Sequence, residues 1–437
     1  MKKVTAILLL VLILVPTIVS CGGNNEITTT ETPTTEAPTT ESPTTETPTM
    51  EAPTTESPTT ETPTTEIPTT KPISEYSIKY ELNGGTNNED NPSTYKTGDT
   101  ITLSFPTKED YMFMGWYTDS ELTSEIKEIA DKTEDITLYA DWIPYSEVFK
   151  FYEGEDGYTI SIWPTCYIET IIIPSTYKGI PVIKLGGPSD MRRRSYNFEV
   201  EIVIIPDSIT DITSEALCTS IVLPEQEFLL KHIEVDANNP NYKSIDGVLY
   251  SKDGKELIRY PSSKDATTFT IPDSVTTIGC AAFYGCANLN TLKIPDSVTS
   301  IEKIAFVYCK SIEEIVIPDS VTYMERNNFA YCTALKKAVL SSNCKEIPSY
   351  AFTSCTALEN VVIPEGVTTI DYWAFEGCSS LKNIVIPNSV TEIKGSVFRG
   401  ASNNFTIYCR AESKPDEWEE HWSEGAKEVI WGYTAEE

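Results

Sequence analysis

Cysteines are the side chains of this 437-residue chain with the widest chemical potential, and there are eleven of them. Thiols can form disulfides, bind metal ions or act as nucleophiles. Five recur every 23 residues: Cys286, Cys309, Cys332, Cys355 and Cys378. Such spacing favours one column of a stacked repeat, where a small apolar thiol suits a buried turn. Neighbouring turns lie ~4.8 Å apart, but parallel Cβ vectors disfavour a bridge, so we expect reduced thiols.

The other cysteines lie outside this column. Cys344 replaces an apolar residue of the repeat, so we expect it in the core. Any disulfide is to be sought among the following four: Cys166, Cys218, Cys280 and Cys409. Zinc sites group cysteines in close pairs or place them near histidine. The two histidines, His232 and His421, are not beside a cysteine pair. The sequence therefore predicts no metal site and no cofactor.

The sequence also lacks patterns typical of catalysis. Enzymes need a nucleophile with a positioned base, or two carboxylates in a cleft. No Gly-x-Ser-x-Gly elbow, phosphate-binding loop or histidine-centred motif is present. The 65 acidic and 33 basic residues give a formal charge of -32. Since nucleic acid is bound through Lys and Arg, this charge argues against a nucleic-acid partner. We expect no enzyme.

The cysteine column belongs to a repeat that must position it. A unit beginning Ile271-Pro272-Asp273-Ser274-Val275 returns at 294, 317, 340, 363 and 386. Each unit also keeps a phenylalanine, which fixes a second column: Phe283, Phe306, Phe329, Phe352, Phe375 and Phe398. Identical columns at a constant period are typical of a solenoid in which every turn buries the same face.

Two motifs of this repeat resemble a known family. They are Ile363-Pro364-Glu365-Gly366-Val367-Thr368-Thr369-Ile370 and Ala374-Phe375-Glu376-Gly377-Cys378. They resemble the BspA-like, Treponema-type leucine-rich repeats of bacterial surface proteins. The resemblance implies a β-rich leucine-rich repeat solenoid over 144–432, irregular to 270, regular over 271–408 and closed by a cap over 409–432.

A smaller module precedes the solenoid at 76–143. Its motifs are Tyr80-Glu81-Leu82-Asn83-Gly84-Gly85, Gly115-Trp116-Tyr117 and Leu138-Tyr139-Ala140-Asp141-Trp142. In this order they resemble the Listeria-Bacteroides repeat, also called the internalin B-type repeat. The resemblance implies a small α/β grasp-like module. In so small a module the tryptophans favour core packing over sugar binding.

The N-terminus predicts export and anchoring. Two lysines, an apolar run over 6–15 and Ile18-Val19-Ser20-Cys21 follow one another. The last four residues resemble a bacterial lipobox, which implies a signal peptide over 1–20 and a lipid on Cys21. That lipid would make the membrane a partner. Over 21–75 a Thr/Glu/Pro repeat offers almost no apolar surface, so we expect a disordered tether.

The strand of each repeat suggests where a partner binds. Residues between buried positions point outward, which places four valines in one row: Val316, Val339, Val362 and Val385. Such a row would be about 14 Å long. Exposed valines can bind a partner, although β-branched residues also favour strands by themselves. Tyr350 and Trp373 share a turn column with Ile304 and either bind a partner or cover a neighbouring turn.

The family resemblance implies a function of the binding class. We expect a lipid-anchored, non-enzymatic adhesin on the bacterial cell surface, with a host or neighbouring-cell surface protein or glycan as its partner. A structural surface component that assembles with itself through the same valines is the alternative. A glycan-active enzyme is the third possibility, which the shallow surfaces of a solenoid disfavour.

Overall fold

The computed structural model describes residues 74–163, 168–187, 200–213, 216–217 and 229–434. The predicted signal peptide, the lipidation site Cys21, almost all of the tether, Cys166 and Cys218 lie outside these residues. The chain divides into the units Met1–Thr70 and Lys71–Glu437, and every described residue belongs to the second. Within the described part, no helix has the length and apolar character needed to cross a membrane.

The N-terminal module is a five-stranded sheet in the order β2-β1-β7-β4-β5, with β3 and β6 forming a separate pair. Strands β1 and β7 are parallel, and Ile78 is paired with Ile136. Trp116 is buried in its core. The strands are β1 Glu75–Glu81, β2 Thr94–Lys96, β3 Ile101–Thr102, β4 Tyr111–Tyr117, β5 Glu125–Ile126, β6 Glu128–Ile129 and β7 Ile136–Pro144.

The helical part of the expected α/β module is not found among the described residues 74–144, where every regular element is a strand. The parallel connection from β1 to β7 passes instead through strands β2 to β6. The chain between β1 and β4 is rich in Asn, Gly, Pro and Thr. These residues favour turns and oppose helix formation, because Gly is too flexible and Pro lacks a donor. The module is therefore β-rich.

The first part of the solenoid is irregular and shares its core with the module. Met112 of β4 packs in one apolar cluster with Val148, Phe149 and Ile171. The Asp246-Gly247 turn joins the antiparallel strands β16 and β17 in a hairpin. The elements are α1 Tyr145–Val148, β8 Phe149–Glu153, β9 Tyr158–Ile162, β10 Thr170–Ile172, β11 Thr176–Tyr177, β12 Ile180–Leu185, β13 Ile202–Ile205, β14 Asp211–Ile212, β15 His232–Val235, β16 Tyr242–Ile245, β17 Val248–Ser251 and β18 Glu256–Arg259.

The regular part repeats two short parallel strands in each turn. The first set forms one side of the solenoid: β19 Thr268–Thr270, β21 Thr291–Lys293, β23 Glu314–Val316, β25 Lys337–Val339, β27 Asn360–Val362, β29 Asn383–Ile386, β31 Thr406–Cys409 and β32 Glu428–Ile430. The second set forms another side: β20 Thr277–Ile278, β22 Ser300–Ile301, β24 Tyr323–Met324, β26 Glu346–Ile347, β28 Thr369–Ile370 and β30 Glu392–Ile393. The predicted solenoid is confirmed.

The phenylalanine column forms the spine of the solenoid core. All six rings are buried and stack on one another from turn to turn. Phe306 and Phe329 are typical, with ring centroids 5.0 Å apart and planes 1° from parallel. From Phe283 to Phe375, each Phe N–H also donates to a carbonyl of the next turn, as Phe329 does to Ala351 at 2.8 Å. The same residue thus supplies both packing and the hydrogen bond between turns.

The third side of each turn is irregular because two of its residues adopt positive φ. The first of these positions holds non-glycine residues in every regular turn: Ala281, Ile304, Asn327, Tyr350, Trp373 and Ser396, with φ between 54° and 63°. The second holds Gly285, Tyr308, Tyr331, Ser354, Gly377 and Gly400. Left-handed conformations cost side chains with a Cβ atom roughly 1–2 kcal/mol each. Packing between the turns must offset this strain.

Candidate protein-binding face

The predicted valine row lies on the outer surface of the first set of strands. In β23, Ile315 is fully buried while Val316 is 51% exposed, because alternate side chains point to opposite faces. Val362 is 53% exposed. Val339 and Val385 face outward as well but are half-buried. All four valines therefore face outward, and two of them are more exposed than the other two.

Strand pairing aligns these valines only in part. Val316, Val339 and Val362 are register partners along β23, β25 and β27. Val385 pairs instead with Tyr408 in the separate sheet of β29, β31 and β32. Pairing is also interrupted between β21 and β23. The valine row thus continues from turn to turn across two sheets, not one.

A row of alternating charges borders the valines. Its members are Glu313, Lys336, Glu359 and Lys382, and all four side chains are at least half exposed. Lys336 contacts Glu313 at 2.9 Å, and Lys382 lies 3.9 Å from Glu359. On the strands themselves, Lys337 pairs with Glu314 at 2.6 Å. These three acidic and three basic residues sum to zero on a chain whose net charge is -32.

Sequence reasoning missed this charge row. The signal that would have found it is the 23-residue spacing itself, because the residue three before each valine reads Glu, Lys, Glu, Lys. Exposed ion pairs of this kind contribute about 0–1 kcal/mol each to stability. They add little to the stability of the fold, but they make the net charge of this strip zero.

An open depression of about 780 Å³ adjoins one end of the valine row. It lies where pairing between β21 and β23 is interrupted, and it is lined by Leu292, Lys293, Glu314, Val316 and Pro318 among others. The lining mixes apolar and charged groups. Such a depression offers room for several side chains of a protein partner beside the valines.

The predicted pair Tyr350 and Trp373 is in contact but lies in the positive-φ turns, away from the valine row. The two ring centroids are 4.9 Å apart with planes at 18°. Both side chains are half-buried, as is Ile304 in the same column. Stacked in this way, the two rings cover each other. The structure does not bring this pair together with the valines.

The cysteine column is buried as the sequence predicts, and its thiols make a repeated contact. Cys309, Cys332, Cys355 and Cys378 each lie with Sγ 3.0 to 3.2 Å from the phenylalanine carbonyl of the preceding turn. Cys286 makes a longer contact of 3.9 Å. Burial holds the pKa of the Cys355 and Cys378 thiols well above the usual range. Protonated thiols are neither nucleophiles nor metal ligands.

The remaining described cysteines are also buried. Cys344 lies in the main core, and its Sγ is 3.3 Å from the Val321 carbonyl oxygen. Burial raises the pKa of Cys409 in the same core to about 12. Cys280 belongs to a different, smaller apolar cluster. Among the residues that the structure describes, no group of three or more His, Cys, Asp or Glu could hold a metal ion.

Two family models match this chain. Residues 260–379 and 345–413 match the BspA type leucine-rich repeat region in six copies. Residues 76–141 match the Listeria-Bacteroides repeat domain. The first match covers the regular strands from β19 to β31 and the valine row, and the second covers the five-stranded module. Both resemblances that the sequence motifs indicate are confirmed.

Curated relatives match over short stretches. Two proteins of Evansella cellulosilytica, one named a membrane protein and one a Gly-rich membrane protein, are 38% identical over 87 residues and 34% identical over 90 residues. These stretches are 19% and 20% of this chain. The chain spans only 12% and 10% of the length of these curated relatives.

Solved leucine-rich repeat proteins are similar over longer stretches. A protein from Eubacterium ventriosum is 28% identical with a TM-score of 0.42, covering 54% of this chain and 65% of that one. The leucine-rich repeat protein of T. pallidum is 22% identical with a TM-score of 0.27, covering 58% and 89%. By its family matches, this chain combines a Listeria-Bacteroides repeat domain at 76–141 with a BspA-type leucine-rich repeat region at 260–413.

Proposed function

We propose that this protein is a lipid-anchored, non-enzymatic adhesin of the bacterial cell surface, whose valine row binds a protein on a host or neighbouring cell. The lipid is placed on Cys21, and the Thr/Glu/Pro tether holds the folded part away from the membrane. The leucine-rich repeats present the binding face. Both the anchor and the adhesive role are parts of this proposal.

One observation carries the binding proposal. The valine row exposes apolar side chains in a neutral strip, although the chain as a whole is strongly acidic. An apolar row with a polar border is the usual composition of a protein-binding surface. Valines selected only for strand formation would need no neutral border. The face is therefore better suited to a protein partner than to solvent.

Further observations support the anchor and the non-enzymatic role. The lipobox-like motif directly follows an apolar run, and the two curated relatives are named as membrane proteins. The column thiols are buried in the core, so they are not exposed to a substrate as nucleophiles. Turnover of a glycan or peptide by the purified protein would contradict the non-enzymatic role.

The binding face is tested by placing charges on it. Val316→Asp and Val362→Asp are combined in residues 22–437, which contain the compact unit Lys71–Glu437. Binding to cells and to an array of matrix proteins and glycans is then compared with the unchanged protein. We expect at least a tenfold loss, because each Asp buries a charge against the partner. Unchanged binding would exclude the valine row.

A matched control carries two aspartates on the other set of strands. Thr299→Asp and Thr322→Asp alter exposed residues beside β22 and β24 and add the same charge. We expect this variant to bind like the unchanged protein. Equal losses in both variants would show that added charge, not the valine row, weakens binding. Melting temperatures of all variants confirm that the solenoid is intact.

A further inference from the structure

Two rows of the binding face share one midpoint. Along the solenoid, the residues in line with the valine row are Lys293, the four valines and Tyr408, and the charge row runs Glu313, Lys336, Glu359, Lys382. Both rows are centred between the turn of Val339 and the turn of Val362. Reversing the charge row exchanges every acidic residue with a basic one. The face is thus complementary to itself.

We infer that the partner of this face is a second copy of the same chain, bound with the two solenoids antiparallel. The inference rests on the proposed function, because it names the partner of the same surface. The two-fold axis lies parallel to the strands and passes between β25 and β27. Interfaces with two-fold symmetry use the same patch of both copies, which requires a self-complementary pattern.

Rotation about this axis keeps each row opposite itself and reverses the order of turns. Glu313 then meets Lys382 of the second copy, and Lys336 meets its Glu359. The valine row meets the valine row, so that apolar side chains face each other. At the ends, Lys293 meets the ring of Tyr408, which suits a cation and an aromatic face. Across the two rows no pair of like charges results.

The charge of the chain favours contact between copies at this face. Two copies with a net charge of -32 each repel one another over most of their surface. Around the valines, however, three acidic and three basic side chains cancel. A second copy can therefore approach this strip with less repulsion than the net charge of the chain implies.

The expected association is weak for a single pair of molecules. The valine row is about 14 Å long, so the contact lies at the small end of protein interfaces. Many copies anchored on one surface, or on two facing surfaces, would add their contacts. Because the contact is small, we expect isolated molecules to pair weakly. Molecules crowded on a surface should pair strongly, because many contacts form together.

Sedimentation equilibrium of residues 22–437, from about 10 µM to about 1 mM, tests the inference, since weak interfaces associate in this range. Lys336→Glu places Glu against Glu359 of the second copy, and Glu359→Lys places Lys against Lys336. We expect each variant alone to self-associate at least tenfold more weakly than the unchanged protein. An equimolar mixture of the two should recover association, because every facing pair is again of opposite charge.

The control is Lys345→Glu, which makes the same charge change beside β26 on the other set of strands. It should associate like the unchanged protein. A chain that stays monomeric to about 1 mM, or variants that do not recover on mixing, would overturn the inference. If such a monomer still lost cell or matrix binding with charged valines, the proposed function would stand. If neither form of binding depended on the valines, both proposals would fail.

Discussion

At the scale of single residues, the cysteine column shows how a reactive side chain becomes a structural one. Thiols such as those of Cys332 and Cys355 are buried and place a weak donor beside the phenylalanine carbonyl of the preceding turn. The phenylalanine carbonyl also accepts the N–H of the cysteine in its own turn, as Phe329 does from Cys332 at 3.2 Å. The thiol is thus a second, weaker partner.

Truncating one thiol should therefore cost mainly packing. We expect Cys355→Ala to lower the free energy of unfolding by about 1–2 kcal/mol, because the fully buried site cannot collapse around the missing atom. Denaturant unfolding of the variant and the unchanged protein measures this difference. An effect below about 0.3 kcal/mol would contradict close packing of the column.

The same burial predicts the reactivity of the column thiols. In the native protein they should not react with a thiol reagent on the timescale of minutes, whereas the denatured chain should react at once. Rapid labelling of the native column would show that the solenoid opens far more readily than its packing implies.

At the scale of elements, two glycines are required for different reasons, one for its backbone conformation and the other for the lack of space around it. Gly377 has φ of 72° and a Cβ atom would lie 3.4 Å from its nearest neighbour, so only the left-handed backbone opposes a side chain. At Gly366 a Cβ atom would lie 1.7 Å from the carbonyl oxygen of Ser342. Four other regular units hold Ser at the Gly366 position and one holds Asn343, but their preceding turns lack the Leu340-Ser341-Ser342-Asn343-Cys344 sequence.

We expect Gly377→Ala to destabilise the protein by about 1 kcal/mol, the usual cost of a left-handed alanine. Gly366→Ala should cost more, about 2 kcal/mol or above, because backbone atoms of two turns must move apart. Thermal unfolding of both variants provides the comparison. A larger loss at Gly377 than at Gly366 would contradict the assigned causes.

The solenoid itself could be predicted from sequence because every turn has the same environment. A residue such as Phe329 packs against Phe306 and Phe352, so its column repeats wherever the fold does. The outward position of Val316 followed from the same period. Breaks in strand pairing could not be predicted, since they depend on small shifts between turns that leave the period unchanged. The prediction of a helix in the module was wrong, because it came from the family resemblance and the residues between β1 and β4 favour turns.

At the scale of the whole molecule, the two ends of the solenoid are closed differently. At the N-terminal end, the module extends the core: Lys178 N–H donates to the Asp110 carboxylate at 3.0 Å, and Lys127 pairs with Glu169 at 2.8 Å. The sequence motifs delimit the module but carry no signal for this shared core, because the contacting residues are far apart in the chain. At the C-terminal end, Trp418 packs against two further tryptophans.

Removing the cap should loosen the solenoid from that end. Trp418 is 1% exposed, so Trp418→Ala is expected to cost about 3–5 kcal/mol and to speed amide exchange first in β31 and β32. Trp142→Ala, in the module, should instead speed exchange in β1 and β7. Uniform acceleration in both variants would show that the fold opens as one cooperative unit, contrary to the nearest-neighbour stability of repeats.

The parallel pairing of β1 and β7 has a mechanical consequence. The chain enters the module through β1 and leaves it through β7 toward the solenoid, and four residue pairs from Ile78–Ile136 to Glu81–Tyr139 join them. Tension between a pulled N-terminal segment and a held solenoid therefore acts along these strands in shear. All four residue pairs then bear the force at the same time, instead of separating one after another. The module should therefore resist extension between its two ends more strongly than a sheet whose strands separate one pair at a time.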